Sequence, residues 1–212
     1  MENFEASFVT IIAMSSPLIF AVIGETITER VGIVNLSMEG TLLITALAAF
    51  AVTITTTSLL IGVIAAALLG GMIAFFIVIV NMNLYINQIA IGFILTIFLW
   101  KLSSFLGQSF VRIPGPYLDR ITIPLLNEIP YLGPTLFNNN LLVISSILLI
   151  PASWFFLFRT QLGVNLRSVG ENPEAANARG INVLYTRLIY STLGGMLIGI
   201  GGAAFSLHAK YG

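Results

Sequence analysis

Residues 59–80 read LLIGVIAAALLGGMIAFFIVIV, an apolar run with no charge in it. A helix that crosses the hydrocarbon core of a bilayer needs about 20 mainly apolar residues, and this segment meets that length. It lies within a longer stretch, residues 40–100, that carries no Asp, Glu, Lys or Arg. Such a stretch is too long for one span and has to turn. Residues 53–58 and 81–88 are the polar breaks, so spans are predicted at 41–57, 59–80 and 88–106. Lys101, near the end of the third, is placed to extend its ammonium to the interface.

The rest of the chain has the same character. Of its 212 residues 57% are hydrophobic and only 8% are Asp, Glu, Lys or Arg, against about 25% charged in soluble domains. A water-facing surface cannot be built from so little charge. A first span is predicted at 7–24, with Pro17 inside it and a short polar stretch, 25–30, after it. The opening residues include Glu2 and Glu5 and lack the basic n-region of a secretory signal, so this span is expected to be retained. A fifth span is predicted at 141–158, with Pro151 inside it, and a sixth at 188–207. The fold class is therefore all-α: a polytopic integral membrane protein with about six transmembrane helices, forming a single transmembrane domain over 1–212.

Two long polar stretches set the orientation. Residues 107–140 hold Pro114, Pro116, Pro124, Pro130 and Pro134, with Arg112, Asp119, Arg120 and Glu128, and are predicted to be an extramembrane loop with short strands or helical turns. Residues 159–187 carry Arg159, Arg167, Arg179 and Arg187 against Glu171 and Glu174. Cytoplasmic loops are enriched in Lys and Arg, so 159–187 is expected in the cytoplasm and 107–140 outside. Counting spans backward puts the N-terminus outside and residues 25–39 on the cytoplasmic side.

Several chemistries are excluded. Without cysteine there are no disulfides, thiolate metal ligands or cysteine nucleophiles. His208 is the only histidine, so no metal site is expected. No catalytic constellation is evident, no cofactor is implied, and the phosphate-cradling Gly-x-x-x-x-Gly-Lys loop is absent. A formal net charge of zero gives no basic field to attract nucleic acid.

Four motifs carry the functional expectation. Between the fifth and sixth spans, Asn172 is a good N-cap and Pro173 fits the first helical position. Glu174 complements the helix dipole, and Gly180 is a natural stop. The result is a helix of about two turns whose alanines leave a small, smooth face: either a docking element or a solvated linker. In residues 32–40, polar Asn35, Ser37 and Glu39 alternate with apolar residues between Gly32 and Gly40. This suggests a discontinuous helix lining a pathway, or else an interfacial turn with Glu39 in water. Asn87 and Gln88 open the fourth span and either line a pathway or hydrogen-bond between helices. Gly195, Gly199 and Ala203 share one face of the sixth span, which fits close helix packing.

Taken together, these segments resemble one family. Glu174-Ala175-Ala176 with Gly180 is similar to the signature loop of bacterial ABC importer permeases. Pro17 and the residues to Gly24, Gly24-Glu25-Thr26-Ile27-Thr28-Glu29-Arg30 leading into Asn35-Leu36-Ser37-Met38-Glu39-Gly40, Asn87-Gln88-Ile89-Ala90-Ile91-Gly92, Ser104-Phe105-Leu106, and residues 163–183 resemble the permeases of branched-chain amino acid and simple-sugar importers, nearest to the smaller permeases of bacterial nucleoside importers. The resemblance implies a multi-pass protein of the bacterial plasma (inner) membrane, in contact with lipid. It implies a cytoplasmic ATPase subunit that hydrolyses ATP, a second permease subunit and an extracytoplasmic substrate-binding protein as partners. Under it, Glu174, Ala175, Ala176 and Gly180 couple to the ATPase, and Asn35, Ser37, Glu39, Asn87 and Gln88 line the substrate pathway. Members of the family continue for several spans beyond the glycine-rich helix, so a chain lacking the family's C-terminal helices is expected. The alternatives are an ion-coupled secondary transporter, a branched-chain amino acid importer permease, and a structural subunit with no pathway of its own.

Overall fold

The structure, a computed structural model, describes residues 2–115, 121–122 and 138–209. Four long helices come first: α1 (Glu2–Arg30), α2 (Met38–Thr56), α3 (Leu59–Leu84) and α4 (Gln88–Gly107), the last followed by a 3-10 turn at Gln108–Phe110. Strands β1 (Ile121–Thr122) and β2 (Asn138–Asn139) pair antiparallel, Ile121 opposite Asn139. Then come α5 (Leu141–Arg159), α6 (Gln161–Glu171), α7 (Pro173–Ala178), α8 (Val183–Ala204) and a π-helical turn at Phe205–Ala209. Pro116, Pro124, Pro130 and Pro134, with Asp119, Arg120 and Glu128, lie outside the described residues.

Among the described residues six helices are long and apolar enough to cross a membrane: Thr10–Arg30, Met38–Thr56, Leu59–Leu84, Gln88–Phe110, Leu141–Arg159 and Val183–Leu207. The protein is a multi-pass membrane protein. Large apolar side chains such as Leu68, Phe75, Phe76, Phe93 and Phe98 point outward from α3 and α4. In water that surface would be a liability; in hydrocarbon it is solvated.

Helix starts follow local chemistry. Asn87, Asn140, Asn172 and Asn182 each accept a hydrogen bond from a backbone N–H in the first turn of the helix that follows, and Thr160 does so for α6. Each satisfies an N–H that has no partner within its own helix.

Helix α8 is the centre of the bundle, packed against α1, α2 and α3. The contacts are backbone to backbone. A methyl group at Gly24 of α1 would overlap the carbonyl of Gly194, and one at Gly194 would overlap the carbonyl of Gly24. On the α3 side, a methyl at Gly195 would meet Ala74 and Gly70, and one at Gly199 would meet the carbonyl of Ala66. Gly195, Gly199 and Ala203 are all buried. In lipid no hydrophobic effect draws helices together, so close van der Waals fit between small residues does that work.

Some boundaries differ from those the sequence suggests. Helix α1 continues through Arg30 rather than stopping at Gly24, α8 begins at Val183 rather than 188, and an unanticipated helix, α6, occupies 161–171. Gly32 explains the first. Its φ is +88°, and the Gly32 and Ile33 N–H groups donate back to the carbonyls of Glu29 and Thr28 at 2.9 and 3.0 Å. That is the two-bond termination a left-handed glycine permits just past a helix end.

Gly199→Leu is expected to lower the thermal unfolding midpoint of the detergent-solubilised chain, because overpacking this contact costs about 1–3 kcal/mol or more. Leu193→Ala, on the exposed side of α8, should change stability by about 0.5 kcal/mol or less. Equal stability of Gly199→Leu and the wild type would contradict the placement of α8 against α3.

Candidate functional site

The nominated residues fall into two regions. The first is the segment 31–37, which leaves α1 at Gly32 and runs back into the bundle before α2 begins. Asn35 and Ser37 are buried. The Asn35 N–H donates to Glu25 Oε1 at 2.9 Å, and Ser37 donates to Asn35 Oδ1 from both its N–H, at 3.1 Å, and its hydroxyl, at 2.6 Å. The Thr96 hydroxyl of α4 donates to the Leu36 carbonyl at 2.6 Å. This network satisfies irregular backbone that hydrocarbon would leave unpaired. Among the described residues, two polar atoms of this network are buried without partners, Glu25 Oε2 and Asn35 Nδ2.

The depth of this segment follows from its neighbours on α4. A methyl at Gly92 would press on Leu36, and one at Gly40 would press on Thr96. Since α4 begins at Gln88, Leu36 lies roughly 6–12 Å along it at 1.5 Å per residue. Glu39 is deeper again. Its side chain is exposed and borders a cavity of about 380 Å³ lined mainly by Met14, Pro17, Leu18, Leu42 and Phe205. An ionisable group at such depth needs water or a polar partner.

Asn87 and Gln88 stand at the start of α4, adjacent to this segment. Asn87 is exposed, and its Oδ1 accepts from the Ile89 N–H at 2.9 Å, so part of its polarity serves as a cap. It also borders a cavity of about 400 Å³ with Asn81, Tyr85 and Arg187. Gln88 is half-buried.

The second region is α7. Its start is fixed by Asn172, whose Oδ1 accepts from the Ala175 N–H at 3.0 Å, with Pro173 behind it. Its end repeats the termination of α1: Gly180 has φ +82°, its N–H donates to Asn177 O at 2.9 Å, and the Ile181 N–H donates to Ala176 O at 3.1 Å. Ala176 is buried in an apolar cluster with Ile27, Ile77, Leu157, Leu166 and Val169. Glu174, Ala175 and Gly180 are exposed. Ala176 thus anchors the helix to the bundle while Ala175 and Ala178 face outward. Beside α7 lies an open cavity of about 650 Å³ lined by Met82, Glu174, Asn177, Gly180 and Asn182 among others.

Glu25 was not nominated from the sequence, although it organises the first region. The signal was present: two carboxylates, Glu25 and Glu29, precede Gly32, a helix stop that brings the chain back past the first of them.

The family described as "Branched-chain amino acid transport system / permease component" matches residues 7–211. A nucleoside ABC transporter permease protein of Lactococcus lactis is 34% identical over 91% of this chain and 64% of its own length. A putative glucose ABC transporter permease protein of Haloferax volcanii is 32% identical, covering 90% and 59%. A guanosine ABC transporter permease protein of Bacillus subtilis is 32% identical, covering 91% and 64%. The chain therefore spans about three fifths of the length of these relatives. No solved structure matches it.

Glu25→Ala removes the acceptor for the Asn35 N–H and should destabilise the chain by about 1–3 kcal/mol. Glu25→Gln keeps a carbonyl acceptor and should cost less. Amide hydrogen exchange at residues 33–37 is the measurement: faster exchange in the alanine variant, with the glutamine variant closer to wild type. Unchanged exchange in both would show that Glu25 does not hold the segment.

Proposed function

The chain belongs to the branched-chain amino acid transport permease family, matched over residues 7–211, and from that premise we propose that it is the membrane-spanning permease subunit of an ATP-driven importer of nucleosides or simple sugars. The observation that carries the proposal is α7: a two-turn helix capped at both ends, anchored by Ala176, and presenting Glu174, Ala175 and Gly180 outward. A solvated linker has no need of such fixed ends or of a small outward face. As a coupling element, α7 docks on a cytoplasmic ATPase subunit and passes its motion to α8 through the short connection at 179–182. ATP binding and hydrolysis then favour one of two pathway conformations over the other, which is differential stabilisation of two states.

The pathway side of the proposal rests on residues 31–39. Irregular backbone at membrane depth is tolerated where it is buried or lines a watery cavity, and Glu39 stands exposed at that depth. A second permease subunit facing α2 and α4 would enclose it, with Asn87 and Gln88 toward the cytoplasmic end. An extracytoplasmic binding protein would deliver the substrate. The substrate class follows from the named relatives, two of which carry nucleoside names and one a glucose name.

Uptake of labelled nucleosides, ribose and leucine into cells holding the intact permease pair, with an active or a hydrolysis-dead ATPase, tests the assignment. ATPase-dependent uptake of a nucleoside or sugar is expected; uptake indifferent to the dead ATPase would favour an ion-coupled carrier. A second test is Gly180→Val in a full-length relative. A Cβ at Gly180 meets nothing within 4 Å in the chain itself, so the variant inserts in the membrane but strains the left-handed turn and crowds the docking face. Transport should fall well below wild type, and a normal rate would refute the coupling role.

A further inference from the structure

The arginines at the basic end of the bundle are gathered rather than dispersed. The guanidinium carbon of Arg30, at the end of α1, lies 5.9 Å from the centroid of the Phe158 ring, and that of Arg167, on α6, lies 5.0 Å from the same ring. Next to them Arg159 stacks on Trp154 at 5.3 Å. The arrangement is imposed by the fold: a methyl at Gly170 would overlap the carbonyl of Arg30, so α6 sits directly on the end of α1.

Two like charges sharing one ring repel, and cation–π attraction offsets this only in part. Among the described residues no counter-charge pairs with them. Glu29 and Glu171, the acidic residues nearest in sequence, are exposed and form no ion pair with these arginines among the described residues. Arg167 Nε is buried without any hydrogen-bond acceptor. Among the described residues the cluster therefore gathers positive charge, holds one buried donor unpaired and has no carboxylate paired with it.

We propose that this cluster binds the phosphate of an anionic lipid headgroup, with Arg30 and Arg167 as its principal ligands. Two features select a lipid over a protein partner. Trp154, Phe155 and Phe158 are exposed along the last turns of α5, continuous with its outward apolar face, and aromatic residues at helix ends mark headgroup depth. The arginines sit at the end of the bundle that the basic-residue bias assigns to the cytoplasm, where the anionic leaflet lies. The inference rests on the membrane placement of the helices and is independent of the importer proposal.

Native mass spectrometry of the detergent-solubilised chain, offered phosphatidylglycerol and phosphatidylcholine of the same acyl chains, provides the test. Wild-type chain should retain phosphatidylglycerol preferentially. Arg30→Gln with Arg167→Gln should weaken that retention by on the order of fivefold for each guanidinium removed, whereas Arg112→Gln, at the opposite end, should not. Arg30→Lys with Arg167→Lys keeps the charge and should keep much of the preference. Circular dichroism checks the fold; if the double glutamine variant loses helix, Arg167→Gln alone is read in its place. Equal retention of the two lipids, undiminished preference in the glutamine variant, displacement of the lipid by millimolar inorganic phosphate, or its displacement by the ATPase subunit would each overturn the proposal.

Discussion

The close approach of α8 to α1 and α3 is the contact on which the rest of the structure depends. In a bilayer, apolar side chains gain nothing by leaving lipid for protein, so helices associate where their surfaces fit. Here the fit comes from Gly24 against Gly194 on one side and Gly70 with Ala74 against Gly195 on the other. Side chains at these positions would force the helices apart. The same helix also meets α2 at Gly202, where a methyl would press on Thr45 and Leu42. Because Asn182 caps α8 directly after the turn that closes α7, displacement of α7 bears on the helix that holds three others together.

A second constraint is the backbone of residues 31–37. A chain that leaves a helix inside the membrane must satisfy its own polar groups. Two side chains from flanking helices do much of this, Glu25 for Asn35 N–H and Thr96 for the Leu36 carbonyl. Asn35 Oδ1 and Ser37 close the remaining turn into α2. The polarity of Asn35 and Ser37 is thus largely committed to holding the segment. Glu39, exposed one turn later, is the residue left to face the space beyond, and the glycines at 32 and 40 let the segment fit against α6 and α4.

The six spans were legible because length and apolar content alone specify a membrane helix. Helix α7 was legible too, since Asn172, Pro173 and Gly180 act through local chemistry. The extension of α1 to Arg30 was hidden because Glu25 looks like a residue outside the membrane until Asn35 is seen to donate to it across ten positions. Helix α6 was hidden because its buried large apolar residues, Leu166 and Val169, are few and its first turn lies directly after α5. Local pattern also could not divide the adjacent alanines Ala175 and Ala176 of α7. Ala176 is buried and Ala175 exposed, a distinction set by the apolar cluster beneath them and not by their own neighbours in sequence.

These features support the proposed account, in which a glycine-packed bundle carries a broken segment beside a pathway and a small capped helix at the cytoplasmic face receives force from an ATPase. The absence of cysteine permits a direct measurement. A single Ala175→Cys substitution, exposed to a membrane-impermeant maleimide, should be labelled in inside-out vesicles and spared in right-side-out vesicles, and assembly with the ATPase subunit should block the labelling. Labelling from the outside, or labelling undiminished when the ATPase is bound, would contradict the account.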